Sequence, residues 1–443
     1  MNKNAPIVCV IGIWHLGAVN AVGFVEKGYR VIGLEFDPLK AKKLQRGKVP
    51  IFEPGLQEMM TKHLVTGSLS FESNASIVTQ ADYVVIAYDS PVNEKDEVDI
   101  NPVVDAANAV ATYLKPHAPL VITSQIPLGT SDKIEFELKR INPQWQSGVV
   151  YTPENLRLGS AILRFLKPDM IVLGANNLKA SQAALKLYKP FKTTKVLMNL
   201  KSAEMVKHAL NTFLATSITF INEIANLSDR LGADAVAVGQ ALKLDKRIGT
   251  RALMSPGLGF SGGTLARDVT QLRLFAKEFN YEAKLLDSIL SVNEGTFDEI
   301  ILKLQNRLGD LSGKRIGILG LTYKPGTSTV RRSPAIKIID LLQKKKAICV
   351  GYDPMANVEE MNEYKGRFDR VLKITELARN ADGIVLVTEW PEFKDLPFNK
   401  LARLMNNALL VDSKNYLDPA ALTAAGFDYQ GFGRKCHSTE TIK

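Results

Sequence analysis

The chain has 443 residues, 46% of them hydrophobic and 23% charged, with a formal net charge of +10. That balance is ordinary for a soluble globular protein, and at roughly 150 residues per domain the length excludes a single core and calls for two or three. No apolar run reaches the roughly 18 residues that span a bilayer, and the first six residues lack an export-signal pattern, so a cytoplasmic protein with no membrane partner is expected.

The 56 lysines and arginines are dispersed, with KAKK at 40–43 and KKK at 344–346 the densest groups. A dispersed excess suits an anionic small molecule at least as well as nucleic acid, and no basic-aromatic cluster argues for the latter. Cys9, Cys349 and Cys436 stand far apart, two in apolar runs and one in a polar tail. They form neither a disulfide framework nor a zinc site, and no metal is expected.

In chain order, IVCVIG (7–12) is an apolar run ending in glycine, AVNAVGFVEKG follows with helical periodicity, and YRVIGLEFD supplies a second run. This is a strand-helix-strand unit of about 30 residues. The runs YVVIA (83–87), LVIT (120–123) and MIVLG (170–174) alternate with helical segments such as PVVDAANAVATYL. Such alternation predicts a parallel sheet covered by helices on both faces. From Ser202 to Arg230 there is neither proline nor glycine, and apolar residues recur at three- and four-residue steps, which predicts one long central helix. A second series, KRIGILG (314–320), AICVGYD (347–353), GIVLVTEW (383–390) and ALLVD (408–412), predicts a second, smaller doubly wound domain.

A strand running into GxGxxG and then a helix places a pyrophosphate on the helix N-terminus, with an acidic residue after the second strand for the ribose. Here the loop runs Gly12-Ile13-Trp14-His15-Leu16-Gly17, and Glu35 or Asp37 stands about 20 residues on. Trp14 occupies the position where backbone must approach the phosphates, so impaired and normal dinucleotide binding both remain open. His15 is a candidate phosphate donor, although a lone histidine there is more often incidental. A second glycine-rich stretch, GLGFSGGTLARD (257–268), lets backbone approach a ligand and ends in Thr264, a poor nucleophile without a base beside it.

Several segments together resemble the UDP-glucose/GDP-mannose dehydrogenase family: FEPGL (52–56), SQIPLGT (124–130), TPENLRLGSA (152–161), KSAEMVKHALNTF (201–213), DKRIG (245–249), PGLGFSGGTLARD (256–268), GLTYKPGTSTVRRSPA (320–335), YDP (352–354) and TEWPEF (388–393). They occur in family order over nearly the whole chain. The resemblance implies an NAD-dependent oxidation of the C6 hydroxymethyl of a nucleotide sugar. It also implies an NAD-binding domain at 1–200, a central helical domain at 201–310 that builds a homodimer, and a nucleotide-sugar domain at 311–443.

Carried over residue by residue, the resemblance gives Glu154 a base or water-binding role and gives Lys207 and Asn211, four apart on one helix face, the developing oxyanion. Asp268 would orient a catalytic water or lysine. Arg247 would reach substrate, often across a dimer. Gly259 and Phe260 belong to the loop that closes over the sugar, Lys324 to the C-terminal domain at the sugar, and Arg331 to the cofactor surroundings with Gly12, Trp14, Gly17 and Glu35. Each has a plainer reading taken singly: a solvated lysine, a loop-bonding asparagine, a surface ion pair for Arg247, a helix cap for Glu154.

The departures concentrate on cofactor and covalent chemistry. Thr264 stands at the family's nucleophilic cysteine, so the second oxidation through a thioester is not expected. Gln125 replaces a threonine, Leu158 a glutamate, Arg267 a lysine and Lys414 an arginine. Two functions follow: an NAD-linked nucleotide-sugar oxidoreductase with altered chemistry, or a catalytically inactive nucleotide-sugar-binding paralogue with a regulatory or partner role.

Overall fold

The computed structural model describes residues 5–89, 98–154, 156, 159–261 and 264–434. The expected positions Leu158 and Cys436 lie outside the described residues. The chain divides into two compact units, with the boundary between Ala209 and Leu210.

In the first unit, β1 (Ile7–Ile11), β2 (Arg30–Leu34), β3 (Leu69–Glu72), β4 (Tyr83–Ile86), β5 (Leu120–Ile122), β6 (Val149–Tyr151), β7 (Met170–Gly174) and β8 (Thr194–Met198) form one sheet, in the order β3-β2-β1-β4-β5-β6-β7-β8. The first six strands follow the doubly wound order, and the crevice beyond β1 and β4, where the winding reverses, is the place such sheets bind ligands. The strands are parallel except that β6 meets β7 antiparallel, at Tyr151 and Gly174. The expected parallel sheet is found, with this one antiparallel pair added to it.

The period-2 geometry of a strand sends alternate side chains to opposite faces, and β1 shows the result. Val8 and Val10 enter one core with Phe24, Phe71 and Phe191, whereas Cys9 and Ile11 enter the other with Val84, Ile122 and Trp145. Strands buried on both faces read as continuous apolar runs, which is why β1 was legible. The helix His15–Glu26 follows β1 and is buried from His15 through Val25.

The long helix Leu200–Leu231 follows β8, two residues longer at its start and one at its end than the periodicity marks. The second unit contains the helices Leu265–Glu278 and Lys284–Leu308 and a second sheet. Its strands are β9 (Arg315–Leu319), β10 (Ile348–Tyr352), β11 (Asp369–Arg370), β12 (Gly383–Leu386), β13 (Leu409–Asp412) and β14 (Asp428–Gln430), parallel throughout in the order β11-β10-β9-β12-β13-β14. It repeats the winding of the first. Ile316 and Ile318 fill one of its cores and Ile384 and Leu386 the other. Among the described residues no helix is long and apolar enough to cross a membrane.

Candidate functional site

The turn from β1 into the first helix needs its glycines. Gly12 adopts φ +88°, and a Cβ on it would meet the Tyr88 ring at 2.9 Å. Gly17 packs so closely on the turn that a Cβ would lie 2.0 Å from the Gly12 carbonyl oxygen. Trp14 is the residue before the helix and makes no side-chain cap. It is 52% exposed, so the indole stands largely in solvent.

His15 is buried, and its Nε2 lies 3.1 Å from Glu53 Oε2. Glu53 is itself buried and accepts from the Gly159 and Ala161 amides at 2.9 and 2.8 Å. The ring is thus committed to a carboxylate that ties the 159–161 segment to the loop, rather than held open as a phosphate donor.

At the end of β2 the sequence offered two acidic residues, and the structure gives them different work. Asp37 accepts from the Leu39 and Lys40 amides and caps the helix Pro38–Gln45. Glu35 is half-buried beside it, and its charge reaches Tyr88. Burial, with the Glu35 and Asp105 charges, pushes the Tyr88 phenol up to about 12. The glycine turn, the helix N-terminus and Glu35 fit the pyrophosphate and ribose of a dinucleotide. One group competes with that fit: Asp89, following β4, accepts from the Leu16 amide through Oδ2 at 3.0 Å.

Elsewhere in this unit Lys207 is half-buried and donates through Nζ to the Glu154 carbonyl oxygen at 2.6 Å. The Glu154 side-chain charge is felt by the buried Tyr188, whose phenol is raised chiefly by burial and secondly by Glu154. Gln125 is half-buried just beyond β5. Glu204, one helical turn before His208, accepts from the Gly129 and Ser131 amides at 2.5 and 2.8 Å and anchors the start of the helix Thr130–Ile141.

In the second unit the glycine-rich loop is held by its backbone. The Gly257 amide donates to Asn222 Oδ1 at 3.0 Å, and the Leu258 amide to the Ser413 carbonyl at 2.5 Å. Phe260 exchanges two bonds with Asn293, amide to Oδ1 at 2.8 Å and Nδ2 to carbonyl at 3.0 Å. A Cβ on Gly259 would lie 2.3 Å from Asn293 Oδ1, so a side chain there would push Asn293 off its bonds to Phe260. The Phe260 ring is buried with Ala215, Val269 and Ile289.

Thr264 caps the helix Leu265–Glu278 by position only: it is exposed and its hydroxyl makes no cap hydrogen bond. Asp268, one turn on, is fully buried and accepts from Asn211 Nδ2 of the long helix. Arg247 is exposed and forms a two-point ion pair with Asp245, at 3.1 and 2.7 Å. Lys324 is exposed in the loop after β9. Arg331 is exposed, with Nη2 3.6 Å from Glu363. Lys414, after β13, lies 3.9 Å from Glu389.

The structure therefore pairs Lys207 with Glu154 and Asn211 with Asp268, and it leaves Arg247, Lys324 and Arg331 at the surface. Cys9 and Cys349 are buried in β1 and β10, and burial pushes both thiols up to about 12. Such thiols stay protonated near neutrality and are poor nucleophiles. Sequence reasoning missed Glu53, Asp89, Asn222 and Asn293. For Asp89 a signal existed, a carboxylate three residues past the strand that flanks β1 at the switch point.

The double winding, the glycine turn and the acidic residue after β2 define a dinucleotide-binding α/β protein. Comparison with known proteins narrows the class. Models of the UDP-glucose/GDP-mannose dehydrogenase family match in three parts: the NAD binding domain at residues 7–192, the central domain at 201–295 and the UDP binding domain at 317–419. UDP-glucose 6-dehydrogenase TuaD of Bacillus subtilis is 33% identical over 429 residues, covering 96% of this chain and 93% of that protein. UDP-glucose 6-dehydrogenase of Rhizobium meliloti is 34% identical over 437 residues, covering 96% and 99%. A UDP-glucose dehydrogenase from Pyrobaculum islandicum superposes with a TM-score of 0.83 at 31% identity, covering 98% and 99%. The chain belongs to the UDP-glucose/GDP-mannose dehydrogenase family.

Proposed function

We propose that the chain is an NAD-dependent oxidoreductase acting at C6 of a UDP-hexose or related nucleotide sugar, in a single two-electron step without a thioester. The observation that carries the reading is the loop of residues 256–268. Gly257 and Phe260 are held there through their backbone, Asp268 at its end accepts from Asn211 of the long helix, and Thr264 is exposed, which supports a loop that binds and polarises a ligand but carries only a hydroxyl at the position of the family's nucleophile. A threonine hydroxyl does not trap an aldehyde without a base to take its proton, so the step that needs a thiolate is lost and the first is retained.

Bound NAD would accept the hydride that leaves C6. In this reading Lys207 and Asn211 stabilise the alkoxide at O6, Glu154 and Asp268 hold the proton or the water, and Arg247, Gly259, Phe260 and Lys324 bind the nucleotide sugar. Gly12, Trp14, Gly17, Glu35 and Arg331 serve the cofactor. Residues 1–200, 201–310 and 311–443 act as cofactor, dimerisation and nucleotide-sugar parts, in the cytoplasm.

The test is a parallel screen of NAD binding and NADH formation across UDP-, GDP- and TDP-sugars. One NADH per sugar is expected from the natural chain, and two from Thr264→Cys combined with Trp14→Gly. Absence of NAD(H) binding up to millimolar concentration sinks the reading. A second reading, an inactive nucleotide-sugar-binding paralogue that regulates a partner, is favoured by the Asp89 carboxylate already resting on the helix N-terminus. NADH formation with any nucleotide hexose removes it.

A further inference from the structure

The end of β4 closes onto the cofactor turn at three consecutive residues. The Ala87 carbonyl oxygen comes within 3.4 Å of where a Cβ on Gly17 would stand, the Tyr88 ring covers Gly12, and Asp89 Oδ2 takes the Leu16 amide at 3.0 Å. Asp89 is an exposed residue, yet its carboxylate turns inward onto the first turn of the helix His15–Glu26. Packing around that carboxyl raises its pKa, the His15 and Leu16 backbone bonds working against the rise.

An amide in the first turn of a helix has no intrahelical partner, and with the helix dipole it forms the anion site on which dinucleotide phosphates rest. In this chain an anion of its own already holds one such amide. A side-chain carboxylate and a phosphate cannot share one N–H, and two like charges at contact distance repel strongly. Trp14, the residue that looked obstructive in sequence, has its indole largely in solvent. The charge that meets the cofactor is carried by Asp89.

We propose that Asp89 is a built-in competitor for the cofactor's pyrophosphate: its carboxylate occupies the Leu16 amide in the free protein and must be displaced when a dinucleotide binds. This rests on the NAD-dependent reading above. It gives the loop two states, one capped from within and one capped by cofactor, and makes affinity for NAD(H) a property set by residue 89 rather than by Trp14.

Titrating NADH into the full-length protein, read by NADH fluorescence, tests it with the natural chain, Asp89→Ala and Asp89→Asn. Asp89→Ala is expected to bind about tenfold more tightly or better while melting at a lower temperature without ligand, because the helix loses its internal cap. Asp89→Asn keeps an acceptor without the charge, so it should retain the melting temperature and still bind more tightly. If the natural chain binds NADH and both variants bind it equally well or less well, the competitor role is overturned and the NAD reading stands. If none of the three binds at millimolar NADH, the NAD reading falls and takes this role with it.

Discussion

Gly17 is bounded by the main chain of its own loop, and main chain cannot swing aside as a flexible side chain does. A methyl group there would sit 2.0 Å from the Gly12 carbonyl oxygen, so Gly17→Ala must move the turn itself. We expect a loss of about 1–3 kcal/mol from overpacking together with loss of NADH binding, measured by denaturant unfolding and by fluorescence titration. A variant with unchanged stability and affinity would show that the turn tolerates a side chain. Trp14 is the contrasting case, because its bulk points to solvent and the backbone beneath it keeps the turn. Glu53 and Asp89 show why part of the site was illegible. Glu53 meets its amide partners across 106 and 108 residues, and Asp89 meets its own across 73, separations at which no local pattern operates. The Asn211 and Asp268 pair, 57 apart, entered the sequence reading only because the family resemblance marked both residues.

The long helix Leu200–Leu231 carries a different unanswered feature. Phe213, Phe220 and Leu227 recur at seven-residue steps and are 71%, 46% and 50% exposed, and Leu231 continues the stripe. Seven residues bring a helix back to nearly the same face, so these exposed apolar side chains share one face of the helix, and exposed apolar residues grouped in this way mark interaction surfaces. We propose that a second copy of the chain covers it, the homodimer that the family resemblance implies. Phe220→Glu combined with Leu227→Glu should then shift the mass measured by light scattering from dimer to monomer. A natural chain that is monomeric at micromolar concentration would refute the proposal. Among strands, legibility followed composition. β1, β2, β4, β9, β10 and β12 are runs of apolar, often β-branched residues, as expected for strands buried on both faces. β3 (LSFE), β6 (VVY), β8 (TKVLM), β11 (DR) and β14 (DYQ) are too short or too polar to stand out. They are strands because a neighbouring strand offers them a ladder.

For the molecule as a whole, two sheets with the same winding assign two ligand crevices, one beyond β1 and β4 and one beyond β9 and β12. Just past β10, the buried Asp353 accepts from the Leu321 and Thr322 amides at 2.8 and 2.9 Å and from Trp390 Nε1 at 3.1 Å. That network fixes the loop after β9, where Lys324 stands, before any ligand arrives. A nucleotide sugar at 100 times its Kd should therefore stabilise the chain by about 2.7 kcal/mol in the absence of NAD, read as a rise in melting temperature with UDP-glucose or GDP-mannose. No shift with any nucleotide sugar at millimolar concentration would remove the sugar-binding role on which both functional readings depend.

The sequence by itself determined the fold class, the two winding series, the long helix and the family, because these rest on periodicities and ordered motifs written into contiguous residues. Through the family resemblance it also marked Thr264 as the candidate for the position of the family's nucleophile. Only the tertiary structure decided that Asp37 caps a helix while Glu35 stays half-buried near Tyr88, that His15 belongs to Glu53, and that Trp14 stands largely in solvent. It alone brought Asp89 onto the Leu16 amide. Such choices depend on which side chains of distant strands reach the same few unsatisfied backbone groups, and that is settled by packing in three dimensions rather than by order along the chain.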